Sequence, residues 1–289
     1  MAENKPTASV AKAATSVQPK KEGNAISWIA PVACILAGYA IWRFLLGNPS
    51  NFERPYVEGT SLSFWPTHEG PHNALVRMYE GGIIVPLLIG LFLMVITFAI
   101  ERALTIGKAT GKGNNAEFIR KVQYHLANKN INAAISECDK QKGSVGNVMK
   151  AGLRKYEEMT TNTELDTDQK LLAIQKEVEE ATALELPMLE KNLVFLSTIT
   201  SLATLVALLG TVMGMIKSFA SLGEEGGSAA ASKLAVGISE ALYNTALGIG
   251  TSAVALVFYN VYTTRIDSIT FGIDESGFTL TQSFASLYK

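Results

Sequence analysis

Apolar residues in this chain gather into four long runs separated by polar segments, rather than recurring every second or fourth position throughout. A helix that crosses a hydrocarbon core of about 30 Å needs about 20 consecutive apolar residues, and the runs predict such helices over residues 26–46, 81–101, 192–222 and 233–265. The first run holds one charge, Arg43, near its end, where a long side chain reaches the headgroups. The second closes on Glu101 and Arg102, the third is uncharged from Leu193 to Ile216, and the fourth carries Glu240 amid apolar neighbours. The predicted fold is an all-α integral membrane protein with four transmembrane helices and long helices extending into the cytoplasm. The first run is longer than the apolar core of a signal peptide and is followed by Gly47, Asn48 and Pro49, so a retained anchor is expected.

Between the runs, residues 1–25 are rich in Ala, Thr, Ser, Lys and Pro and read as a disordered tail. In 102–191, Phe118, Val122 and Leu126, then Ile131, Ala134 and Ile135, then Val148, Leu153 and Tyr156 recur at helical spacing. A charged helix from Thr167 is expected to run on into the third span, projecting roughly 30 Å as a stalk at 1.5 Å per residue. Lys and Arg mark the cytoplasmic side of a membrane protein. The first tail carries Lys5, Lys12, Lys20 and Lys21, and 102–191 holds more than half of all basic residues. The 47–80 segment is acidic on balance, with Glu53, Glu58, Glu69 and Glu80, and 223–232 contains Glu224 and Glu225. These two segments are therefore expected in the periplasm, with both termini and the 266–289 tail in the cytoplasm.

Composition narrows the chemistry. Charged residues make up 18% of the 289 residues, against roughly 25% in a soluble domain. A net charge of −1 lacks the basic footprint of a nucleic-acid binder. Cys34 and Cys138 stand far apart and offer neither a disulfide framework nor a zinc site. His68 and His72 have metal-ligand spacing, but Gly70 and Pro71 between them break the helix that would align them. The IGKATGKG stretch lacks the spacing of a phosphate loop and follows a membrane helix instead of a strand. No cofactor and no metal are expected.

The last two runs hold the informative residues. Ser197, Ser201, Thr204, Leu208, Thr211, Met215 and Ser218 follow at intervals of four and three, one stripe along a helix. Packing and back-bonding explain single hydroxyls in membrane helices; a whole stripe points to water or a polar partner. Gly210 and Gly214 add a close-packing pair. Glu240, with Asn244 four residues on, is an intramembrane carboxylate, and such groups mark ion pathways by default. Thr211 and Thr245 each lie seventeen residues from Ser228, so an antiparallel pair would set them at one depth. Lys217 falls near the depth of Glu240, and an ion pair between them is the alternative role for that carboxylate.

LLGTVMGMIKSF at Leu208 to Phe219, and GISEALYNTALGI at Gly237 to Ile249 followed by FYNV, resemble the last two helices of the MotA/TolQ/ExbB proton-channel family, most of all its ExbB members. The stretch ECDKQKGSVGNVMKAGL is also similar. The resemblance implies that Glu240 is the membrane glutamate and that Thr211 and Thr245 are the two pore threonines. It implies a homo-oligomer, a pentamer, in the bacterial inner membrane around helices of an ExbD-like single-span protein with a membrane Asp, driving a TonB-like protein. The further pore-lining candidates come from the residues themselves: Ser197, Ser201, Thr204 and Ser218 from the stripe and Asn244 from its place one turn beyond Glu240. Thr204, Val236 and Val254 stand where the family usually has proline, and the first span is additional to its three-helix plan.

Within the same class, a TolQ-like subunit or a sodium-driven stator fits these residues too. A structural scaffold would use the hydroxyls only for packing. An intramembrane enzyme would need an aspartate pair, a nucleophile beside a base or a metal cluster in the spans, and the four runs contain none of these.

Overall fold

The computed structural model describes residues 25–54, 64, 66, 68–71, 76–224 and 228–288. The tail expected over 1–25 therefore lies almost wholly outside the described residues, as does His72 of the histidine pair.

Among the described residues, eight α-helices carry the fold: α1 (Ala25–Ala40), α2 (Ile84–Ala109), α3 (Asn115–Ala127), α4 (Ile131–Gln141), α5 (Gly143–Thr161), α6 (Thr167–Glu190), α7 (Leu193–Glu224) and α8 (Ser228–Tyr288). A π-helical turn, Ile41–Leu46, prolongs α1. Strands β1 (Phe52–Arg54) and β2 (Glu69–Pro71) form a minimal antiparallel pair, and a 3-10 turn, Val76–Gly81, leads into α2. Helical segments long and apolar enough to cross a membrane lie within 29–46, 84–109, 167–220 and 234–287, so the chain is an all-α membrane protein with four candidate spans. Apolar side chains such as Val32 and Leu36 on α1, Leu205 and Leu209 on α7, and Leu256 and Val257 on α8 face outward. This is the inverse of a soluble surface, and hydrocarbon or another subunit must cover it.

The polar segments between α2 and α6 fold into a helical bundle on one end of the molecule. Its helices start where side chains replace the missing intrahelical acceptors: Asn114 accepts from Ala116 N at 2.9 Å, Asn130 from Ala133 N at 3.1 Å, and Asp166 with Gln169 forms a capping box. Phe118, Val122, Leu126, Ala134, Val148, Leu153 and Tyr156 are buried in the bundle, the positions that helical spacing selects.

Three features depart from the sequence reading. The helix from Thr167 does not continue into the third span: α6 ends at Glu190, and Asn192 turns the chain with φ of 66° before α7 begins. Nor is 266–289 a separate tail. Helix α8 runs unbroken through it, burying Ile266, Ile269, Ile273, Leu280 and Phe284 against the bundle, with Phe284 edge-on to Tyr156 at 5.0 Å. The turn joining α7 and α8 is also shorter than 223–232, since α7 extends to Glu224 and α8 starts at Ser228.

At the opposite end, α1 lies against α2 through glycine. A β-carbon on Gly38 would sit 2.5 Å from Gly90 N, and one on Gly90 would sit 2.9 Å from Ile35 Cα. Beyond this crossing a small aromatic cluster closes the end of both helices. Trp42 stacks on Tyr79 at 4.4 Å, Phe52 meets Tyr79 and His68, and the Tyr79 hydroxyl donates to Pro66 O at 2.6 Å.

Candidate functional site

The site rests on how closely α7 and α8 approach. Small residues line their contact: Gly214 against Ala241, Ser218 against Gly237, and Ala203 and Ala207 against Gly248. A β-carbon on Gly237 or Gly248 would collide with its neighbour. Such small-residue seams let membrane helices pack without large side chains between them. Tight approach then lets short hydroxyls span the gap. Thr211 Oγ1 and Thr245 Oγ1 are hydrogen-bonded to each other, and each is also 3.4 Å from the Ala241 carbonyl oxygen. Ser252 Oγ donates across the same seam to Thr200 O.

Glu240 sits on α8 just over one turn from Thr245, toward the turn that joins α7 and α8. It is half-buried, and its electrostatic neighbours are Glu80 on the turn before α2 and Lys217 on α7. Among the described residues it closes no ion pair: Lys217 stays beyond 4 Å and is exposed.

The hydroxyl stripe of α7 does not share one environment. Ser201 and Thr204 face outward, and Ser197 is half-exposed, while Thr211 turns to Thr245 and Ser218 is buried against Gly237. A stripe with a mean spacing of 3.5 residues drifts about 20° per heptad around a helix of 3.6, so across three heptads it swings from the open face into the α8 contact. Most of these hydroxyls also donate to a carbonyl one turn back, as Ser197 does to Val194 O at 3.0 Å and Ser218 to Gly214 O at 2.8 Å. Asn244, expected on an open face, is 3% exposed and packs inward, its Nδ2 donating to Gly81 O at 3.2 Å.

Near the bundle end, Ser197 lines a cavity of about 280 Å³ together with Glu190, Tyr259, Thr263 and Asp267. Beside it lies a junction that the sequence reading missed. Arg102 is 2% exposed and pairs with Glu101, while its Nη1 donates to Leu189 O at 3.1 Å and Met188 O at 3.4 Å. Those carbonyls belong to the last turn of α6, where no intrahelical donor remains. Glu101 accepts in turn from Thr105 Oγ1 at 3.1 Å and Asn192 Nδ2 at 3.3 Å. The available signal was the Glu101–Arg102 dyad ending an apolar run, a place where a charge usually marks only the headgroup boundary. Tyr262 OH, donating to Ala99 O at 2.7 Å, fixes α8 to α2 at the same level.

Residues 140–275 match the family described as the MotA/TolQ/ExbB proton channel family. The match includes α7, the site on α8, and the α5–α6 part of the bundle. Among curated proteins, the chain is 40% identical over 86 residues to a putative ExbB-like biopolymer transport protein of Synechocystis sp., covering 29% of this chain and 41% of that one. It is 30% identical over 125 residues to the Tol-Pal system protein TolQ of Pseudomonas aeruginosa, covering 43% and 54%. It is 42% identical over 85 residues to the biopolymer transport protein ExbB of Helicobacter pylori, covering 29% and 57%. The chain thus matches about half the length of these relatives. Among the described residues it is a helical membrane protein with four candidate spans, whose residues 140–275 match the MotA/TolQ/ExbB proton channel family.

Proposed function

We propose that this chain is the multi-span subunit of an ExbB-type motor in the bacterial inner membrane, which converts downhill proton flow into mechanical work on an envelope protein. The observation that carries the reading is the Thr211–Thr245 hydroxyl pair with Glu240 about one turn away, all within the family domain. Hydroxyls in direct contact and a carboxylate above them form a polar step through an otherwise apolar helix pair, and a proton relay needs such a step. One elementary charge falling through 100 mV releases about 2.3 kcal/mol, so a few protons suffice to bias a conformational step.

In this reading the basic bundle and both termini face the cytoplasm, and the α7–α8 turn and the aromatic cluster face the periplasm. The outward apolar faces are shared between lipid and further copies of the chain, as a pentamer. The proton-carrying aspartate comes from an ExbD-like single-span partner, and the work is delivered to a TonB-like protein. A TolQ-like role in the envelope is the second reading, favoured by the TolQ relatives.

The test is co-expression with a neighbouring gene for a single-span protein bearing a membrane Asp, followed by mass and subunit ratio of the purified assembly. Several copies of this chain per two of the partner are expected. Glu240→Ala should leave that assembly intact and abolish proton-driven uptake across the outer membrane. If uptake is normal in the deletion strain but detergent resistance is lost, the TolQ-like reading replaces the ExbB-like one. A homo-oligomer that never binds such a partner refutes both and leaves a structural scaffold.

A further inference from the structure

Residues 25–83 lie outside the matched family region, yet the turn Val76–Gly81 is built into the α7–α8 pair. Its anchor is Asn244. The amide head is clamped between two glycines: a β-carbon on Gly81 would lie 2.6 Å from Asn244 Oδ1, and one on Gly210 would lie 3.2 Å from Nδ2. Nδ2 donates to the Gly81 carbonyl, and because a carbonyl can only accept, that bond fixes which way round the amide lies. Oδ1 is then left buried with no hydrogen-bond partner among the described residues. An unmet buried acceptor costs free energy and is rare in native proteins.

The carboxylates bracket this acceptor. Glu240 is one turn from Asn244 on α8, and Glu80 is the residue before Gly81. Both are half-buried and they are electrostatic neighbours, with Lys217 the cation beside Glu240. An ionised carboxylate has no hydrogen to offer Oδ1, whereas a protonated carboxyl or a hydronium does. A proton-bearing carboxyl on either side is one donor that would meet this acceptor.

We infer that Glu80 is a second ion-pathway carboxylate, supplied by the segment outside the family domain, which takes protons at the outer mouth and passes them to Glu240 beside the Asn244 amide. This rests on the proton-pathway reading above. A proton from the outer solution forms an O–H bond on Glu80; that bond breaks as one forms on Glu240, and Glu80 returns to carboxylate. Asn244 is a positioning residue, holding the turn in register and accepting from whichever carboxyl bears the proton.

The experiment uses the full chain purified with whatever partner assembles with it, reconstituted in liposomes containing the pH dye pyranine, with flux driven by an imposed potential. Glu80→Gln should slow proton entry about tenfold, the low end of what an oppositely charged mouth adds to an association rate, while Glu240→Gln abolishes it. Added acetate should restore flux to Glu80→Ala, a rescue that a packing role would not give. Wild-type flux in Glu80→Gln together with loss in Glu240→Gln overturns this inference and leaves the pathway reading standing. So does slow Glu80→Ala flux that acetate does not raise. Wild-type flux in Glu240→Gln, or none in the unaltered assembly, overturns the pathway reading and this inference with it.

Discussion

Thr211 and Thr245 bond hydroxyl to hydroxyl across the seam between α7 and α8, and both reach the same Ala241 carbonyl. Three oxygen atoms thus meet at one point of the interface. Hydrogen bonds between membrane helices average about 0.6 kcal/mol by double-mutant cycle and rarely exceed about 1.7. Thr211→Val and Thr245→Val should therefore cost little stability singly, and the double variant should show a coupling of about that size. Proton flux should fall far more than stability in each. A cycle of unfolding free energies in detergent, set beside liposome flux, checks this, and a flux loss no larger than the stability loss refutes it.

Arg102 ties α2 to the end of α6, and its partner Glu101 holds Asn192 in the turn before α7. Replacing Arg102 by Ala removes the donor to the Leu189 carbonyl, and an unmet buried acceptor costs about 1–3 kcal/mol, while Glu101, 36% exposed, keeps Thr105 and Asn192 as donors. Lys cannot restore the junction, because a point charge does not reach the carboxylate and the helix-end carbonyls in one plane. Arg102→Ala and Arg102→Lys should both lower the melting temperature of the purified protein, and Arg102→Ala the more. Unchanged melting in Arg102→Ala would falsify the junction's structural role.

How much of this was readable beforehand differs from place to place. Run length alone locates the four spans, because a bilayer demands length and apolarity and little else. Counting from Ser228 brings Thr211 to Thr245, since an antiparallel pair with a short turn has one free parameter. The continuation of α8 is harder to see: Gly272, Gly277 and several Ser and Thr lower its hydropathy, although Ile266, Ile269, Ile273, Leu280 and Phe284 keep helical spacing. The break at Asn192 and the partners of Arg102 were hidden because they are tertiary: backbone carbonyls from another helix leave no mark in a sequence. Asn244 read as pore-facing because its inward face is defined by two glycines, and glycine declares a close approach without naming the neighbour.

Gly38 and Gly90 set the distance between α1 and α2. Gly38→Leu should push α1 away and undo the Trp42–Tyr79 stack beyond it, at the roughly 1–3 kcal/mol typical of overpacking. The α7–α8 seam does not involve Gly38 and should persist. Increased protease access to 47–82 with an unchanged oligomer mass is the expected result; a lost oligomer would mean that α1 is part of the assembly's frame.

His68 is 5% exposed in the aromatic cluster. Burial first, then the charge of Arg43, lowers its pKa below the ordinary histidine value, and a backbone hydrogen bond with Gly47 opposes them. The unfolded segment binds a proton near pH 6.5 while the folded one resists it, so the cluster's stability is complete above about pH 6.5 and declines as pH falls below it. Acidification from neutral pH should loosen the cluster, seen as faster amide exchange around Tyr79, and His68→Gln should flatten that response. An unaltered pH response in His68→Gln would assign it to another group.

Helix α8 is 61 residues without a break, a rod of about 90 Å at 1.5 Å per residue. Thr245 divides it unequally, with 17 residues on the side of the turn and 43 on the side of the bundle. Used as a pivot, that point gives the rod a mechanical advantage: a tilt of about 5° moves the bundle tip by about 6 Å and the turn by only about 2 Å. For such a pivot, a small rearrangement at the Ser228 end of α8 is geared up into a displacement the size of a helical turn at the far end.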